Sequence, residues 1–247
     1  MNKRVKVINP NTTQKMTPRI EEAAKSVARN DTEILATSPE MGPVTIESYY
    51  DDHLSIPGVL DEVRKGEAEG VDAFIIACYA DSGLQAAREV TTRPVVGIAE
   101  ASLYMTAMLA ARFSIVTILP RMKVLLENLT RDYGMEYRLN SIRTLPSMDV
   151  AALGKDPNAT MELLKEESRK AVQEDNAEAI ILGGSGMVEF ADELEKELGV
   201  PVIDGVAAAV KFAEAIVDLG KTTSKFNTYQ YPEKKQMVGI LSRFAYR

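Results

Sequence analysis

The sequence predicts an α/β protein with two doubly wound parallel-sheet domains, related by pseudo-symmetry, and a cleft between them. Short β-branched runs alternate with amphipathic stretches of about 12 to 18 residues, which is the pattern of βαβ units. The second observation is an internal repeat, because residues 71–78 (VDAFIIAC) align without a gap with residues 177–184 (AEAIILGG). Self-similarity of this kind indicates a duplicated structural unit.

The predicted elements follow from hydrophobic periodicity. The strands are short, rich in β-branched residues, and predicted at residues 5–8, 33–36, 73–77, 95–98, 113–118, 137–142, 179–182 and 201–203. The helices have apolar residues at helical spacing and are predicted at residues 17–29, 56–69, 84–91, 101–111, 121–133, 159–174, 188–198 and 206–219. A helix after each strand predicts parallel strands.

The flanks of the repeat define two halves. Residues 94–97 (PVVG) and 201–204 (PVID) follow Cys78 and Gly184 at spacings that differ by one residue. We therefore predict a first domain of residues 1–98 completed by 206–247, and a second domain of residues 99–205. The helix that begins at Val206 is expected to pack on the first half. The polar tail at 222–247 is expected to wrap either onto the body of the protein or onto a neighbouring subunit.

Composition and charge exclude several classes of protein. A net charge of −7 disfavours nonspecific nucleic-acid binding, which needs Lys and Arg against phosphates. The N-terminal apolar run is too short for a signal peptide or membrane span. One Cys and one His do not suffice for a Cys/His zinc site. We expect a cytoplasmic protein with no metal, no nucleic-acid partner and no membrane partner.

Polar or small residues end four of the predicted strands, namely Asn9, Cys78, Thr117 and Gly184. The carboxyl ends of parallel strands form the ligand crevice of open α/β sheets. The turns at 78–83 and 183–186 consist largely of small residues, and their N–H groups suit carboxylate or carbonyl oxygens. We therefore predict a cleft for a small molecule with such groups, although plain strand-to-helix connections have the same composition.

Cys78 is the only cysteine. A thiol at a strand end beside a helix N-terminus is expected to have a lowered pKa, which makes it a base or a nucleophile near neutral pH. A lone cysteine is also commonly a small buried apolar residue. Phosphate-loop and dinucleotide glycine signatures are absent, and Met187 occupies the last position of a would-be Gly-x-Ser-x-Gly motif, which disfavours nucleotide cofactors and serine hydrolysis.

Several motifs together resemble the hydantoin and allantoin racemases of the aspartate/glutamate racemase superfamily, and the likeness covers nearly the whole chain. The matching segments are residues 8–13 (INPNTT), 41–43 (MGP), 46–48 (IES), 83–84 (GL), 87–89 (ARE), 94–101 (PVVGIAEA), 113–117 (FSIVT) and 201–205 (PVIDG). The resemblance implies two pseudo-symmetric domains, no cofactor, a homo-oligomer, and two cysteines on opposite faces of the substrate's α-carbon. One thiolate removes the proton while the opposite thiol returns one.

The strand ends and the resemblance together predict the site. Cys78 matches the family's first cysteine, but the second maps to Gly184, as the internal repeat also indicates. Residues 79–82 (YADS) stand where Phe-Gly-Asp-Pro is common, and Ile118 stands where a threonine is usual. The predicted catalytic residue is Cys78, and the predicted substrate-binding residues are Asn9, Pro43, Tyr79, Ala80, Thr117, Ile118, Gly184, Ser185 and Gly186.

Three hypotheses stay open at this point. Inversion needs deprotonation on one face and reprotonation on the other, so loss of the second cysteine predicts impaired racemisation. The first hypothesis is a racemase or epimerase of a hydantoin-like ring, with Cys78 on one face and Ser185, Tyr79 or a water on the other. The second is a decarboxylase, lyase or other isomerase that uses one thiol. The third is a protein without catalysis, either a binding or regulatory protein that keeps the pocket or a variant inactivated by replacement of the second cysteine.

Overall fold

Two four-stranded parallel sheets with the same strand order form the architecture of the computed structural model. The model describes residues 2–146 and 156–246, so part of the predicted second domain, residues 147–155, lies outside the described residues, as do Met1 and Arg247. The first sheet contains β1 (Lys3–Ile8), β2 (Thr32–Thr37), β3 (Ala73–Ile76) and β4 (Val95–Gly97), in the order β2-β1-β3-β4. The second sheet contains β5 (Phe113–Thr117), β6 (Leu139–Thr144), β7 (Ile180–Leu182) and β8 (Val202–Asp204), in the order β6-β5-β7-β8. The predicted fold class is confirmed.

Eight α-helices are found in the described residues. They are α1 (Thr17–Val27), α2 (Tyr49–Glu69), α3 (Leu84–Val90), α4 (Ile98–Leu109), α5 (Lys123–Asp132), α6 (Pro157–Gln173), α7 (Ala191–Leu198) and α8 (Gly205–Asp218). A short 3-10 helix (Ser185–Phe190) precedes α7. None of the described helices is long and apolar enough to span a lipid bilayer.

Helix α2 begins at Tyr49 rather than at residue 56, where the sequence predicts its start. The side chain of Ser48 accepts a hydrogen bond from the Asp51 N–H at 3.2 Å, which caps the helix and satisfies a donor of its first turn. Pro57 therefore lies inside the helix, although proline is more typical of a first turn. The connection between β2 and α2 therefore ends at residue 48 and not at residue 55, where the sequence predicts its end.

Helices α4 and α8 pack against each other, and each contacts strands of both sheets. Helix α4 follows the first sheet in sequence yet contacts β7 and β8, whereas α8 follows the second sheet and contacts β1, β3 and β4. A continuous apolar core links the two sheets, with Val7 and Ile75 from one half and Ile115 and Ile181 from the other. The domain boundaries themselves stay a prediction.

The C-terminal tail packs on the helices of its own chain. The guanidinium of Arg64 in α2 donates hydrogen bonds to the carbonyl oxygens of Arg243 and Phe244, at 3.2 and 3.0 Å. The ammonium of Lys225 donates to the Glu89 carbonyl at 3.1 Å. The tail thus crosses α2 and α3, which is one of the two placements that the sequence predicts.

Candidate functional site

A cleft with about 660 Å³ of empty space, its open mouth included, lies at the carboxyl ends of the strands of both sheets. Loops after β1, β3, β5 and β7 all contribute to its walls. The lining residues are Asn11, Met16, Ile46, Ala77, Cys78, Tyr79, Ala80, Thr117, Ile118, Leu119, Met122, Leu126, Gly183, Gly184, Ser185 and Gly186. The cleft therefore combines residues from the two repeated halves.

Most of the predicted site residues lie in the walls of this cleft. Those that line it are Cys78, Tyr79, Ala80, Thr117, Ile118, Gly184, Ser185 and Gly186. Asn9 and Pro43 are not among the lining residues. The two small-residue turns predicted from the repeat and the strand ends thus both line the cleft. For the loop after β1, the residues that line the cleft differ from the predicted Asn9.

Asn9 lies behind the cleft wall rather than in it. The residue is 1% exposed, and its amide donates hydrogen bonds to Asn11 Oδ1 at 3.2 Å and Thr17 Oγ1 at 3.3 Å. Asn11 and Met16 are the residues of this loop that line the cleft. Pro43 holds the same loop from outside, since its carbonyl accepts the Thr12 N–H at 2.9 Å. Asn9 and Pro43 therefore support the loop that carries Asn11.

Cys78 is partly exposed to the cleft, but its thiol is closely surrounded by protein atoms. This burial raises the pKa of Cys78 to about 11, and the negative charges of Asp52 and Asp81 act in the same direction. A hydrogen bond from the Ala80 N–H and the proximity of the Ser82 hydroxyl favour the thiolate but do not outweigh burial. Cys78 is accordingly a neutral thiol, and so a proton donor, at neutral pH.

The expectation of a lowered Cys78 pKa is therefore wrong, for a structural reason. Helix α3 begins only at Leu84, after the N-cap Gly83, so Cys78 does not lie in the first turn, where a helix N-terminus favours negative charge. The nearest full charges are instead the carboxylates of Asp52 and Asp81. Two negative charges near a buried thiol oppose its ionisation.

Tyr79 directs its hydroxyl away from the cleft. The residue is buried, and its hydroxyl is 3.1 Å from Ser102 Oγ on α4. Burial, reinforced by the charge of Asp81, raises the pKa of Tyr79 above its ordinary value. The phenol is consequently a poor candidate for a base acting on the substrate, and Ser185 or a water is left for that role.

Gly184 occupies a position that can hold a side chain. Its backbone is extended, with φ −177° and ψ 136°, a conformation open to any residue. A Cβ there would lie 3.7 Å from Met187 Cε and 4.0 Å from Ile118 Cδ1, which are ordinary contacts. A Cβ at Gly183 would approach within 3.0 Å of Ile115 Cγ2. Of these two adjacent glycines, Gly184 is the one that packing does not require.

Apolar residues that the sequence did not single out as site residues complete the cleft. They are Met16, Ile46, Leu119, Met122 and Leu126. Met122, which directly precedes α5, and Leu126 within α5 are four residues apart and therefore lie on the same side. The sequence offers this spacing without showing what that side contacts. Ile46 precedes α2, in a segment whose path depends on tertiary contacts.

Among the described residues, no cluster of three or more His, Cys, Asp or Glu side chains has the arrangement of a metal site. The single histidine, His53, has an exposed side chain beside Asp52, with His53 Nδ1 3.3 Å from Asp52 Oδ2. The cleft walls instead combine a thiol, an amide, hydroxyls and the backbone of two small-residue turns. Such a site can bind a small polar molecule and exchange a proton with it.

Comparison with known proteins identifies the family. Residues 5–213 match the Asp/Glu/Hydantoin racemase family. The chain is 66% identical over 242 residues to a hydantoin racemase from Pseudomonas sp. (strain NS671), covering 98% of this chain and 97% of that protein. It superposes on an allantoin racemase from Klebsiella pneumoniae with a TM-score of 0.95 at 43% identity, covering 98% and 99% of the two chains. A crystal structure of arylmalonate decarboxylase shares the fold at 20% identity, with a TM-score of 0.65 and coverage of 92% and 96%. The chain belongs to the Asp/Glu/hydantoin racemase family.

Proposed function

We propose that this protein is a cofactor-independent racemase or epimerase of a hydantoin-like substrate, in which Cys78 exchanges a proton with the α-carbon of the ring. One observation carries the proposal: the single thiol of the chain faces a cleft built from both repeated halves. The 66% identity with a hydantoin racemase supports the choice of substrate class. Carbonyl oxygens of a hydantoin-like ring suit the N–H groups of the small-residue turns.

The resting state of Cys78 suits one half of the reaction. Removal of the α-proton leaves an enolate, and the neutral Cys78 thiol can return a proton to its carbon, becoming a thiolate that must then regain a proton from solvent. The reverse direction requires the Cys78 thiolate as base, and a pKa of about 11 makes that form scarce at neutral pH. Cys78 is therefore better prepared as an acid than as a base.

The opposite face of the substrate meets Gly184 instead of a second thiol. Ser185 and water remain on that side, and a serine hydroxyl is a weak base because it has no ionisation near neutral pH. We therefore expect proton exchange from the Cys78 face to be faster than complete inversion of the stereocentre.

The test follows a single-enantiomer hydantoin in deuterated water, with deuterium uptake measured by NMR and inversion by optical rotation. Because a positioned acid or base contributes about 100-fold or more, Cys78→Ser should lower both rates by at least that factor. Gly184→Cys should raise inversion at least about tenfold, because a second thiol fits there without close contacts. Gly184→Ala, which fills the same space without a thiol, is the matched control.

Undiminished exchange in Cys78→Ser would remove Cys78 from the mechanism. Equal gains in Gly184→Cys and Gly184→Ala would mean that packing, rather than a second proton carrier, limits inversion. Absence of exchange and inversion in the parent protein, with hydantoins bound, would favour a binding protein without catalysis.

One observation favours a second candidate, a decarboxylase or other lyase with one thiol. A neutral Cys78 opposite Gly184 suits a reaction in which departure of CO2 generates the enolate, so that only the protonation step needs the protein's thiol. Release of CO2 from a substituted malonate, lost in Cys78→Ser, would support this candidate. Inversion of hydantoins without CO2 release from malonates is the result expected from the racemase proposal.

Cytoplasmic location and a homo-oligomeric state belong to the same proposal and stay predictions. Light scattering on the purified protein tests the second of these directly. A monomer in solution would contradict the homo-oligomer that the family resemblance implies.

A further inference from the structure

A buried carboxylate in the turn that carries Cys78 connects this turn to two helices. Asp81 is 5% exposed, and its backbone N–H donates to the Cys78 carbonyl at 2.9 Å. Its carboxylate accepts hydrogen bonds from the Ala99 and Glu100 N–H groups at 3.1 and 2.9 Å, in the first turn of α4. It also accepts the Tyr133 hydroxyl at 2.6 Å, at the end of α5. One residue thus joins the Cys78 turn to the N-terminus of α4 and to the end of α5.

The second half solves the same capping problem differently. Asp204, at the end of β8, caps α8 with its own carboxylate, which accepts the Val206 and Ala207 N–H groups at 3.1 and 2.8 Å. The internal repeat aligns Asp204 with Gly97, at the end of β4. The two residues have similar backbone angles, φ −90° and ψ 128° at Asp204 against φ −86° and ψ 145° at Gly97. A local aspartate cap is therefore compatible with the backbone at position 97.

The first half replaces that local cap with a carboxylate from the Cys78 turn. A Cβ added to Gly97 would lie 2.3 Å from the Asp81 carboxyl carbon, so Asp81 reaches the α4 N-terminus only because position 97 is glycine. Asp81 itself has φ +49°, a left-handed conformation that is uncommon for residues other than glycine. Helix capping alone does not require this arrangement, because Asp204 caps α8 without a left-handed backbone and without a glycine at the end of the strand.

We propose that Asp81 is a positioning residue, which holds the Cys78 thiol in the cleft by anchoring its turn to the N-terminus of α4 and to Tyr133. The inference rests on the role proposed above for Cys78. Asp81 does not line the cleft, and it is assigned no proton transfer. Its negative charge also raises the pKa of Cys78, but the effect proposed for catalysis is geometric, because displacement of a reacting group by about 1 Å can cost about 100-fold in rate.

The experiment moves the cap from the turn to the strand end. Asp81→Gly removes the carboxylate and tolerates the positive φ. The double variant Asp81→Gly/Gly97→Asp places a carboxylate in the arrangement that Asp204 has in the other half, and thereby restores the α4 cap without a tie to the Cys78 turn. Asp204→Gly removes the equivalent cap from α8, away from Cys78, and is the matched control.

Four quantities are measured for each variant: kcat and KM for α-carbon exchange, Tm, and the rate of iodoacetamide alkylation. Since Cys78 is the only cysteine, alkylation reports on this thiol independently of activity. We expect Asp81→Gly to lower kcat by about tenfold or more with little change in KM, and to change the alkylation rate about threefold or more. The double variant should recover the parent Tm within about 2 °C, a difference no larger than the contribution of one helix cap to stability. It should nevertheless keep the low kcat and the altered alkylation rate.

Recovery of kcat together with Tm in the double variant would overturn the inference, because Asp81 would then be only a helix cap. An equal loss of kcat in Asp204→Gly would do the same. Should Asp81→Gly not fold, Asp81→Asn keeps the shape of the side chain and loses one acceptor, and an unchanged kcat and alkylation rate there would also overturn it. Activity retained in Cys78→Ser would instead refute the role of Cys78, while the alkylation rates still test how its turn is held.

Discussion

At the scale of single residues, the environment of Cys78 decides its protonation state. The thiol lies at the end of a buried strand, with Asp52 and Asp81 as its charged neighbours. Asp52 is also the acceptor for the Ser82 hydroxyl, with Ser82 Oγ 2.6 Å from Asp52 Oδ1. The position of the cysteine was readable from the sequence. Its pKa was not, because burial of the thiol, the largest cause of the raised pKa, and the charge of Asp52 from α2 both depend on tertiary packing.

We expect the pH profile of Cys78 alkylation to have its midpoint near pH 11 in the folded protein, against about 8.5 for an unperturbed thiol. Removal of a nearby negative charge favours the thiolate, so Asp52→Asn should move the midpoint to lower pH. Asp61→Asn removes a charge elsewhere on α2 and serves as the control. The measurement is the second-order rate constant for iodoacetamide as a function of pH.

A folded-state midpoint at or below 8.5 would contradict this account and revive the expectation of a thiolate near neutral pH. Equal shifts in Asp52→Asn and Asp61→Asn would indicate a general effect of net charge rather than a specific effect of Asp52.

At the scale of elements, the sequence predicts most strands and helices to within a few residues, because their periodicity is strong. The strands at 3–8 and 113–117 overlap the strands predicted at 5–8 and 113–118, where short length and β-branched residues favour a strand. The start of α2 was missed because Pro57 resembles a first-turn proline, and the cap by Ser48 lies well upstream. The loop residues of the cleft, such as Ile46, were missed because their positions depend on contacts between elements.

Strand β1 and helix α2 are joined by a buried ion pair. Lys6 is 1% exposed, and its ammonium lies 3.2 Å from Glu62 Oε2, which is also buried, and 3.2 Å from Glu69 Oε2, which is 48% exposed. Removal of Glu62 leaves the buried Lys6 charge with only a half-exposed partner, whereas Glu69, which lies largely in water, contributes little.

Glu62→Ala should therefore lower the free energy of unfolding by about 3 kcal/mol, and Glu69→Ala, the matched control, by less than about 1 kcal/mol. Urea denaturation of both variants against the parent measures the difference. Similar losses for the two variants would mean that Lys6 reaches solvent despite its position in β1.

At the scale of the whole molecule, the shared strand order of the two sheets was predictable from the internal repeat, and the two halves differ at the cleft. The two sheets share one strand order, and the gapless repeat anticipates this. The halves differ at two pairs of strand ends: Cys78 faces Gly184, and the Gly97–Asp81 arrangement replaces the Asp204 cap. The sequence alignment exposes the first difference directly. The second difference is visible only in the structure, because the Asp81 carboxylate binds the N-terminus of α4, which begins after the next strand, β4.

Both helix-capping aspartates contribute to the pH dependence of stability. Burial raises the pKa of Asp81 to about 7 and that of Asp204 to about 6, although backbone N–H groups, and the Tyr133 hydroxyl at Asp81, act in the opposite direction. An unfolded aspartate titrates near 3.9, so between about pH 4 and 7 the folded state binds more protons than the unfolded state. The stabilising contribution of these groups is complete below about pH 4 and is lost as pH rises through the folded pKa values.

Asp204→Asn isolates one of these groups without touching the Cys78 turn. Asparagine keeps an acceptor for α8 but never ionises, so the free energy of unfolding of the variant, relative to the parent, should rise by about 1 to 2 kcal/mol between pH 5 and pH 8. Asp192→Asn, at an exposed position on α7, changes the net charge equally and should show a nearly constant difference. Urea denaturation at the two pH values provides the measurement. A constant difference for Asp204→Asn as well would mean that the N-terminus of α8 stabilises the ionised carboxylate as strongly as burial opposes it, and the same balance would then be expected for Asp81 at the N-terminus of α4.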